Sequence, residues 1–212
     1  MRARPNVDVV LVDAGGSNLG SVRCALRRLG VEAEVSADAG RIRAATHVIL
    51  PGVGAAAPGM ARLRESGLDR LIPTLTQPVL GVCLGMQLLF EASEEGDTAC
   101  LGVIPARVRR FDGAAPRVPQ MGWNRLRIER DDPLLAELAQ PAYAYFVHSY
   151  AAPVGPWTLA SADYGGAFSA MVRRRNFVGM QFHPERSAAP GARLLANFLR
   201  EPAAVRAGAT GT

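Results

Sequence analysis

Two kinds of apolar pattern alternate along the first half of the chain. Continuous apolar runs at residues 7–13 and 78–82 are typical of strands buried on both faces of a parallel sheet. Between residues 19 and 29, apolar side chains recur every three or four positions, which predicts a helix that ends at Gly30. The same criteria predict strands at 32–35 and 47–50, and helices at 60–75, with an interruption at Gly67, and at 84–92.

The second half of the chain is richer in strand patterns. Strands are predicted at 102–111, 124–128, 144–150, 157–162, 168–172 and 177–182, followed by a closing helix at 191–200. Strands that alternate with helices favour an α/β fold with a parallel sheet, to which the second half adds antiparallel strands. No linker divides the chain, so we expect one domain over residues 1–200. The Ala-, Gly- and Thr-rich residues 201–212 are expected to form a disordered tail.

Composition narrows the class of protein. With 49% hydrophobic and 20% charged residues, the 212-residue chain is ordinary for a globular domain. No apolar run approaches the roughly 20 residues that a membrane span needs, and the N-terminus does not resemble a signal peptide, so we expect a cytoplasmic protein. Three cysteines in unrelated contexts make a disulfide framework improbable.

The net charge is +5, and a basic chain raises the question of nucleic acid binding. All 24 basic residues are arginine. These arginines are scattered and lack an aromatic stacking pattern, which favours a solvated surface and no nucleic acid partner. Without lysine, the chain can form neither a Walker-type phosphate loop nor a Schiff base. The three histidines and the dispersed cysteines show no metal-site spacing, so no metal is expected.

A cysteine lies between two glycines where a predicted strand meets a predicted helix, in Gly81-Val82-Cys83-Leu84-Gly85-Met86-Gln87. This is the sequence form of a nucleophile elbow, whose tight turn lifts the nucleophile out of the sheet. A helix N-terminus also favours the thiolate over the thiol. The alternative for the segment taken alone is a small buried cysteine at a strand end, which is common.

A nucleophilic cysteine needs a base and a group that orients the base. His183 and Glu185 are two residues apart, and Pro184 favours an extended backbone in which their side chains point to the same side. An exposed turn with an incidental histidine is the alternative. Donors for an oxyanion are expected from the amide of Leu84 and from the loop Pro51-Gly52-Val53-Gly54, which is otherwise simply a strand end.

Together these segments resemble a class I glutamine amidotransferase. Three further stretches resemble the glutaminase subunit of imidazole glycerol phosphate synthase, an enzyme of histidine biosynthesis: residues 118–124, 145–150 and 179–187. The resemblance extends from about residue 9 to residue 199, and Met121-Gly122-Trp123-Asn124 is its most discriminating part.

The resemblance implies a fold, a reaction and a partner. The fold is a central, mostly parallel sheet flanked by helices, with an antiparallel addition in the second half. The reaction is hydrolysis of glutamine to glutamate and ammonia through a cysteinyl thioester, with Cys83, His183 and Glu185 as the triad and no cofactor. Gln87 and the backbone around Ser149 and Tyr150 would hold the substrate. The partner is the cyclase subunit, a separate (β/α)8 barrel, which would form a heterodimer with this chain and use the ammonia.

Docking of that partner is expected on a surface near the strand ends that carry the triad, formed by Asn18, Met121, Trp123, Asn124, Tyr145 and Arg186. Two positions depart from the family pattern. The chain has Ala14-Gly15-Gly16-Ser17-Asn18 where the family usually has a Tyr-Gly-x-Gly-Asn loop, and Arg186 where many members have lysine. The arginine keeps the charge but changes the geometry of an ion pair.

Three other functions share parts of this pattern. The glutaminase of anthranilate or pyridoxal phosphate synthase has the same triad but should lack the Met-Gly-Trp-Asn stretch. A cysteine peptidase would need no partner. A non-catalytic interaction module would tolerate loss of the triad, whose three members are all present.

Overall fold

The computed structural model describes residues 7–13 and 19–203. Its strands are β1 (Val9–Val12), β2 (Ala33–Ser36), β3 (His47–Gly52), β4 (Val79–Cys83), β5 (Phe90–Ser93), β6 (Thr98–Ala99), β7 (Ile104–Arg110), β8 (Gln120–Arg125), β9 (Arg127–Ile128), β10 (Tyr143–His148), β11 (Tyr150–Ala151), β12 (Thr158–Asp163), β13 (Ala167–Arg174) and β14 (Phe177–Met180). Its α-helices are α1 (Leu19–Arg28), α2 (Ala39–Ala44), α3 (Ala56–Glu65), α4 (Leu68–Leu71), α5 (Leu84–Leu88) and α6 (Ala188–Phe198).

An eight-stranded sheet forms the centre of the molecule, in the order β2-β1-β3-β4-β14-β13-β12-β9. The first five strands of this order pair in parallel, and the last three add to them antiparallel. The predicted α/β fold, with a mostly parallel sheet and an antiparallel addition, is thereby confirmed. Two smaller sheets stand beside it: the antiparallel pair β8–β10, and a four-stranded sheet in the order β11-β7-β5-β6.

The hydrophobic core lies on both faces of the central sheet. In β1, Val9 and Leu11 belong to the cluster on one face, and Val10 and Val12 belong to the cluster on the other. Helices α1 and α6 contribute to the first cluster, and α2, α3, α4 and α5 to the second. This two-sided burial explains why β1 is apolar at every position, because each side chain of a strand between two helix layers is removed from water.

One predicted helix is wrong in its extent. The pattern predicts a helix over residues 84–92, but α5 ends at Leu88 and the chain enters β5 at Phe90. Strand β5 pairs in parallel with β7, with Phe90 opposite Ile104. The apolar run at 88–90 has no periodicity that distinguishes a buried helix from a buried strand. The segment becomes a strand because it pairs with β7, which lies later in the sequence.

The predicted helix at 60–75 is divided near Gly67, as expected, into α3, which already begins at Ala56, and α4, which ends at Leu71. Gly67 has a φ of 69°, a left-handed conformation that glycine adopts without strain. Helix α2 was not predicted, because its six residues are too few to show a periodicity. Its start is nevertheless marked by Asp38, whose side chain accepts a hydrogen bond from the amide of Arg41 at 2.6 Å.

The C-terminal end of the described chain is held against the fold. Arg173 is ion-paired with Asp132 at 2.7 Å and with Glu201, all three side chains being largely buried. Of the predicted tail, residues 204–212 lie outside the described residues. The loop at residues 14–18, which departs from the family pattern, also lies outside them. Among the helices that the structure describes, none has the length and apolarity needed to cross a membrane.

Candidate active site

The turn from β4 into α5 places Cys83 in a conformation that is rare for a residue with a side chain. Its φ is 54° and its ψ is −112°. A Cβ atom added at Gly85 would lie 1.8 Å from the carbonyl oxygen of Leu50, and one added at Gly81 would lie 2.6 Å from that of Gly85. The two glycines are therefore required by close backbone packing, as the elbow pattern predicts. Strained backbone of this kind occurs preferentially at functional sites.

Helix α5 is only five residues long. The field at a helix N-terminus comes from the aligned peptides of the helix, so it is weaker here than the predicted nine-residue helix would give. A thiolate at Cys83 accordingly depends more on the side chains around it.

His183 and Glu185 lie directly after β14, which is the parallel neighbour of β4, so the sheet brings them to the same edge as Cys83. The Nδ1 atom of His183 is 2.9 Å from the Oε1 atom of Glu185, whose side chain is 1% exposed. His183 also forms a hydrogen bond with Cys83. The three predicted triad residues are thus in contact in the order cysteine, histidine, glutamate.

The charge state of His183 follows from these contacts. Burial of the ring disfavours the imidazolium, but hydrogen bonds and charge interactions with Cys83 and Glu185 outweigh burial and raise the pKa of His183 to about 10. The raised pKa favours the imidazolium, which is the form able to donate a proton to a leaving group.

A cavity of about 330 Å³ opens beside Cys83. Eight of the predicted site residues line it: Cys83, His183, Gln87, Ser149, Tyr150, Leu84, Val53 and Gly54. Glu95, Pro119, Val147 and His148 complete the lining. Gly52 does not line the cavity. A Cβ at Gly52 would lie 2.7 Å from the amide nitrogen of Gly85, so this glycine allows β3 to pack against the elbow.

The side chain of Gln87 is buried, with 5% exposure. Its Nε2 atom donates to the carbonyl oxygen of Tyr150 at 2.9 Å and to the Oε1 atom of Gln181 at 3.0 Å. Since an amide NH₂ group carries two hydrogens, only the carbonyl oxygen of Gln87 remains to contact a ligand in the cavity.

Glu95 is a cavity-lining carboxylate that the sequence analysis did not identify. One of its oxygens accepts a hydrogen bond from the amide of Ala56, at the N-terminus of α3, at 2.8 Å. No motif marks this residue, because it lies after β5, which was itself predicted as helix. A carboxylate in the cavity wall is suited to an ammonium group of a ligand.

Four residues of the predicted partner surface lie on or beside the outer face of β8 and β10. Trp123 and Tyr145 are opposite each other in the antiparallel pair, with ring centroids 6.0 Å apart, and the guanidinium of Arg186 lies 4.7 Å from the centre of the Tyr145 ring. Met121 is 65% exposed and Trp123 is 55% exposed, large values for such side chains. We call the four residues Met121, Trp123, Tyr145 and Arg186 the aromatic ribbon.

Asn124, which was also predicted for the partner surface, is not part of the aromatic ribbon. Asn124 directly follows Trp123 in β8, and its side chain donates to the carbonyl of Asp163 at 2.9 Å, which ties β8 to the end of β12. Asn18 lies outside the described residues.

The backbone of Tyr145 connects the aromatic ribbon to the triad. Its amide donates to the Ser187 hydroxyl at 3.0 Å, and its carbonyl accepts from the amide of His183 at 2.9 Å. Ser187 in turn donates to the carbonyl of His183 at 2.7 Å. One residue of β10 therefore fixes the backbone on which the candidate base is carried.

His148 lies in the cavity wall and packs against the rings of Phe111, Phe146 and Phe168. Burial lowers its pKa to about 4, opposed by its hydrogen bond to the Tyr150 carbonyl and assisted by the charge of His183. Its ring is therefore neutral at pH 7 and donates from Nδ1 to that carbonyl at 2.8 Å.

We expect His148 to make the protein sensitive to mild acid. Because its pKa is lower in the folded state than the usual 6.5, the unfolded chain binds the proton more readily, and stability is lost as the pH falls from about 6.5 to about 4. The shift corresponds to about 3 kcal/mol. Urea unfolding over this range should give a steeper loss for the wild type than for His148→Asn, whose amide can still reach the Tyr150 carbonyl. Parallel curves for the two proteins would contradict the assignment.

Within the described part of the chain, no three His, Cys, Asp or Glu residues are grouped so as to hold a metal ion. The chemistry that the geometry supports is nucleophilic attack by a thiolate on a carbonyl, with a protonated imidazole as acid and a polar cavity for the rest of the substrate.

Comparison with known proteins gives the family. The model of the family "Glutamine amidotransferase class-I" matches residues 10–202. Among curated proteins, the imidazole glycerol phosphate synthase subunit HisH of Xylella fastidiosa is 57% identical over 198 residues, which cover 93% of this chain and 99% of the relative. The subunit HisH of Xanthomonas campestris pv. campestris is 58% identical over 193 residues, which cover 91% of this chain and 96% of the relative.

Solved structures agree in fold. A crystal structure described as a glutamine amidotransferase has a TM-score of 0.71 at 23% identity and covers 90% of this chain and 96% of its own. The structure of PurLQS from Thermotoga maritima has a TM-score of 0.73 at 18% identity and covers 91% of this chain and 97% of its own. With the family model and the near-complete match to the curated relatives, the chain belongs to the class-I glutamine amidotransferases and, within them, to the imidazole glycerol phosphate synthase subunit HisH family.

Proposed function

We propose that this chain is the glutaminase subunit of imidazole glycerol phosphate synthase and that it hydrolyses glutamine with Cys83 as nucleophile, His183 as acid and base, and Glu185 as the group that orients the imidazole. The observation that supports this most directly is the contact of the three side chains at an elbow cysteine with a φ of 54°. The membership of the HisH family supports the choice of glutamine as substrate.

In the first half of the reaction, the Cys83 thiolate attacks the side-chain amide carbon of glutamine. The S–C bond forms, and the carbonyl electron pair moves onto the oxygen, where the amide of Leu84 and the loop of Gly52, Val53 and Gly54 are the expected donors. As the oxyanion collapses, the C–N bond breaks. His183 gives its proton to the departing nitrogen, so ammonia leaves and a glutamyl thioester remains.

In the second half, a water molecule attacks the thioester while His183, now neutral, takes a proton from it. The C–S bond breaks, glutamate leaves, and the Cys83 thiolate and the His183 imidazolium are regenerated. Glu185 accepts the Nδ1 hydrogen of His183 throughout, which keeps the other ring nitrogen directed at the reacting groups.

The remainder of the substrate is expected to occupy the cavity. Its α-ammonium group requires acceptors, and Glu95 and the Oε1 atom of Gln87 are available for it. The backbone around Ser149 and Tyr150 is the expected site of the α-carboxylate. Glu95 extends the set of substrate residues predicted from the sequence.

The ammonia is proposed to pass to a cyclase subunit, a (β/α)8 barrel that forms a heterodimer with this chain. The aromatic ribbon is the proposed docking surface, because Met121 and Trp123 are exposed. Its Tyr145 also belongs to β10, and the C-terminal end of this strand lines the cavity. A partner seated there would lie next to the point where ammonia is released.

This function is tested by adding the cyclase subunit to the purified chain and measuring glutamate formation from glutamine with the nucleotide acceptor present. We expect turnover to rise with the concentration of the cyclase subunit, and Trp123→Ala to require about 30-fold more of it, since a central interface tryptophan contributes about 2 kcal/mol. Val154→Ala, which removes an exposed apolar side chain outside the ribbon, is the matched control and should leave the titration unchanged. Absence of glutaminase turnover in the saturated complex would refute the proposed function.

A further inference from the structure

Behind the candidate nucleophile lies a buried pair of side-chain amides. Gln181 follows β14 and has no exposed surface. Its amide NH₂ group faces the Sγ atom of Cys83 at 3.9 Å, and its Oε1 atom accepts from Gln87 at 3.0 Å. Its own backbone is fixed, because the amide donates to the Ala170 carbonyl at 2.9 Å.

The direction of the Gln181 amide is determined by a backbone group. The carbonyl oxygen of Tyr150 can only accept, so the atom of Gln87 that contacts it is the nitrogen. The second hydrogen of that nitrogen points to Gln181, and the atom that receives it is the oxygen of Gln181. The nitrogen of Gln181 is then the atom directed at the sulfur. Exchanging O and N in either side chain would set two donors or two acceptors against each other.

The sulfur needs such a donor. Helix α5 is short, and the carbonyl of Val147, at 3.9 Å from Sγ, accepts from a thiol but repels a thiolate. The titratable groups around the sulfur are His183, which is hydrogen-bonded to it, Glu185 behind His183, and Glu95 and His148 in the cavity wall. Of these, His183 must give up its proton during the reaction, whereas the amide of Gln181 keeps its hydrogens at every step.

We propose that Gln181 is a catalytic hydrogen-bond donor to the Cys83 sulfur, that it stabilises the thiolate as nucleophile and as leaving group, and that Gln87 holds it in the donating orientation. The proposal rests on the proposed function in one respect, namely that Cys83 is the nucleophile. Gln87 then both contacts the substrate and orients the amide of Gln181. The role of Gln181 was not indicated by the resemblance of residues 179–187 to the family.

The test is the rate of alkylation of Cys83 by iodoacetamide as a function of pH, in the full chain with Cys24 and Cys100 replaced by serine. Cys24 is exposed and must be removed, and Cys100 reacts slowly because burial raises its pKa to about 11. Gln181→Met has a similar length and no N–H group. We expect it to move the midpoint of the alkylation profile upward by about one pH unit and to lower the alkylation rate at pH 7 about tenfold.

Two further variants make the result specific. Gln181→Glu keeps the oxygen that faces Gln87 and replaces the N–H group by oxygen, so it should shift the profile in the same direction even if the methionine variant fails to fold. Gln77→Met is the matched control, because Gln77 is also a buried glutamine and donates to the carbonyl of Ile42 at 2.9 Å, remote from the cavity. The alkylation profile of this variant should superimpose on that of the protein that keeps Gln77 and Gln181.

Turnover of the complex with the cyclase subunit separates this inference from the proposed function. We expect kcat for glutamine to fall about 10²-fold in Gln181→Met, as for removal of one donor to a reacting charge. A folded Gln181→Met protein whose alkylation profile is that of the wild type overturns the donor assignment, even if its turnover is low. If complete alkylation of Cys83 in the wild type leaves glutaminase turnover intact, the nucleophile assignment itself fails.

Discussion

Replacing Cys83 with alanine is expected to abolish ammonia release from glutamine and to leave the fold intact. Removal of the nucleophile from a catalytic triad typically lowers kcat by a factor on the order of 10⁶. The side chain is 8% exposed and loses only one sulfur atom, and alanine meets the same backbone strain at a φ of 54° as cysteine does. Ammonia release in the saturated complex with the cyclase subunit is the measurement.

The two other cysteines provide the controls for this substitution. Cys24→Ala and Cys100→Ala should keep full turnover, because neither residue lines the cavity that contains Cys83. A glutamine-like electrophile should label Cys83 and spare the other two. The Cys83→Ala protein should still bind the cyclase subunit, since the aromatic ribbon is unchanged. Turnover at the wild-type rate in this variant would move the nucleophile elsewhere.

Glu185→Gln is expected to lower kcat by about 10⁴ while changing KM little, as for loss of the orienting carboxylate in a triad. Glu185 accepts the Nδ1 hydrogen of His183 and, after burial and Cys83, its hydrogen bond is among the main influences on the His183 pKa. A glutamine in its place can present an N–H group to Nδ1, which favours the wrong tautomer, and it no longer stabilises the imidazolium.

The distinguishing measurement is the separate effect on kcat and KM in the complex. A raised KM with unchanged kcat would mean that Glu185 binds substrate and does not orient the base. Glu32→Gln is a matched control, because it also neutralises a glutamate that pairs with a basic side chain, Arg27, at 3.1 Å, but at the surface. Exposed pairs of this type contribute little, so its turnover should equal that of the wild type.

Residues that are close in sequence or tied to strand ends could be predicted from the pattern alone. The elbow glycines and the pair His183 and Glu185 depend on local geometry, which short segments encode directly. The mostly parallel sheet follows from continuous apolar strands between helices. The strand β5 was missed because its pairing with β7 is made with residues later in the chain, and the local apolar pattern does not contain that partner.

The residues of the site that the pattern did not identify reach it through tertiary packing. Glu95 enters the cavity only because β5 and the turn after it pack beside α3. The contact between Gln87 and Gln181 joins residues 94 positions apart, and neither side chain is distinctive by type. Strand alternation directs the Asn124 side chain to the face of β8 opposite to that of Trp123, where it reaches the carbonyl of Asp163.

Tyr145 gives the docking surface and the base a common anchor. Its ring lies beside that of Trp123 and the guanidinium of Arg186, and both of its backbone hydrogen-bonding groups contact the segment that begins at His183. The backbone of the residue that carries this ring is therefore hydrogen-bonded to the backbone that carries the imidazole. A displacement of Tyr145 by a docked partner would therefore reach the backbone of His183 through the hydrogen bonds of Tyr145 to His183 and Ser187.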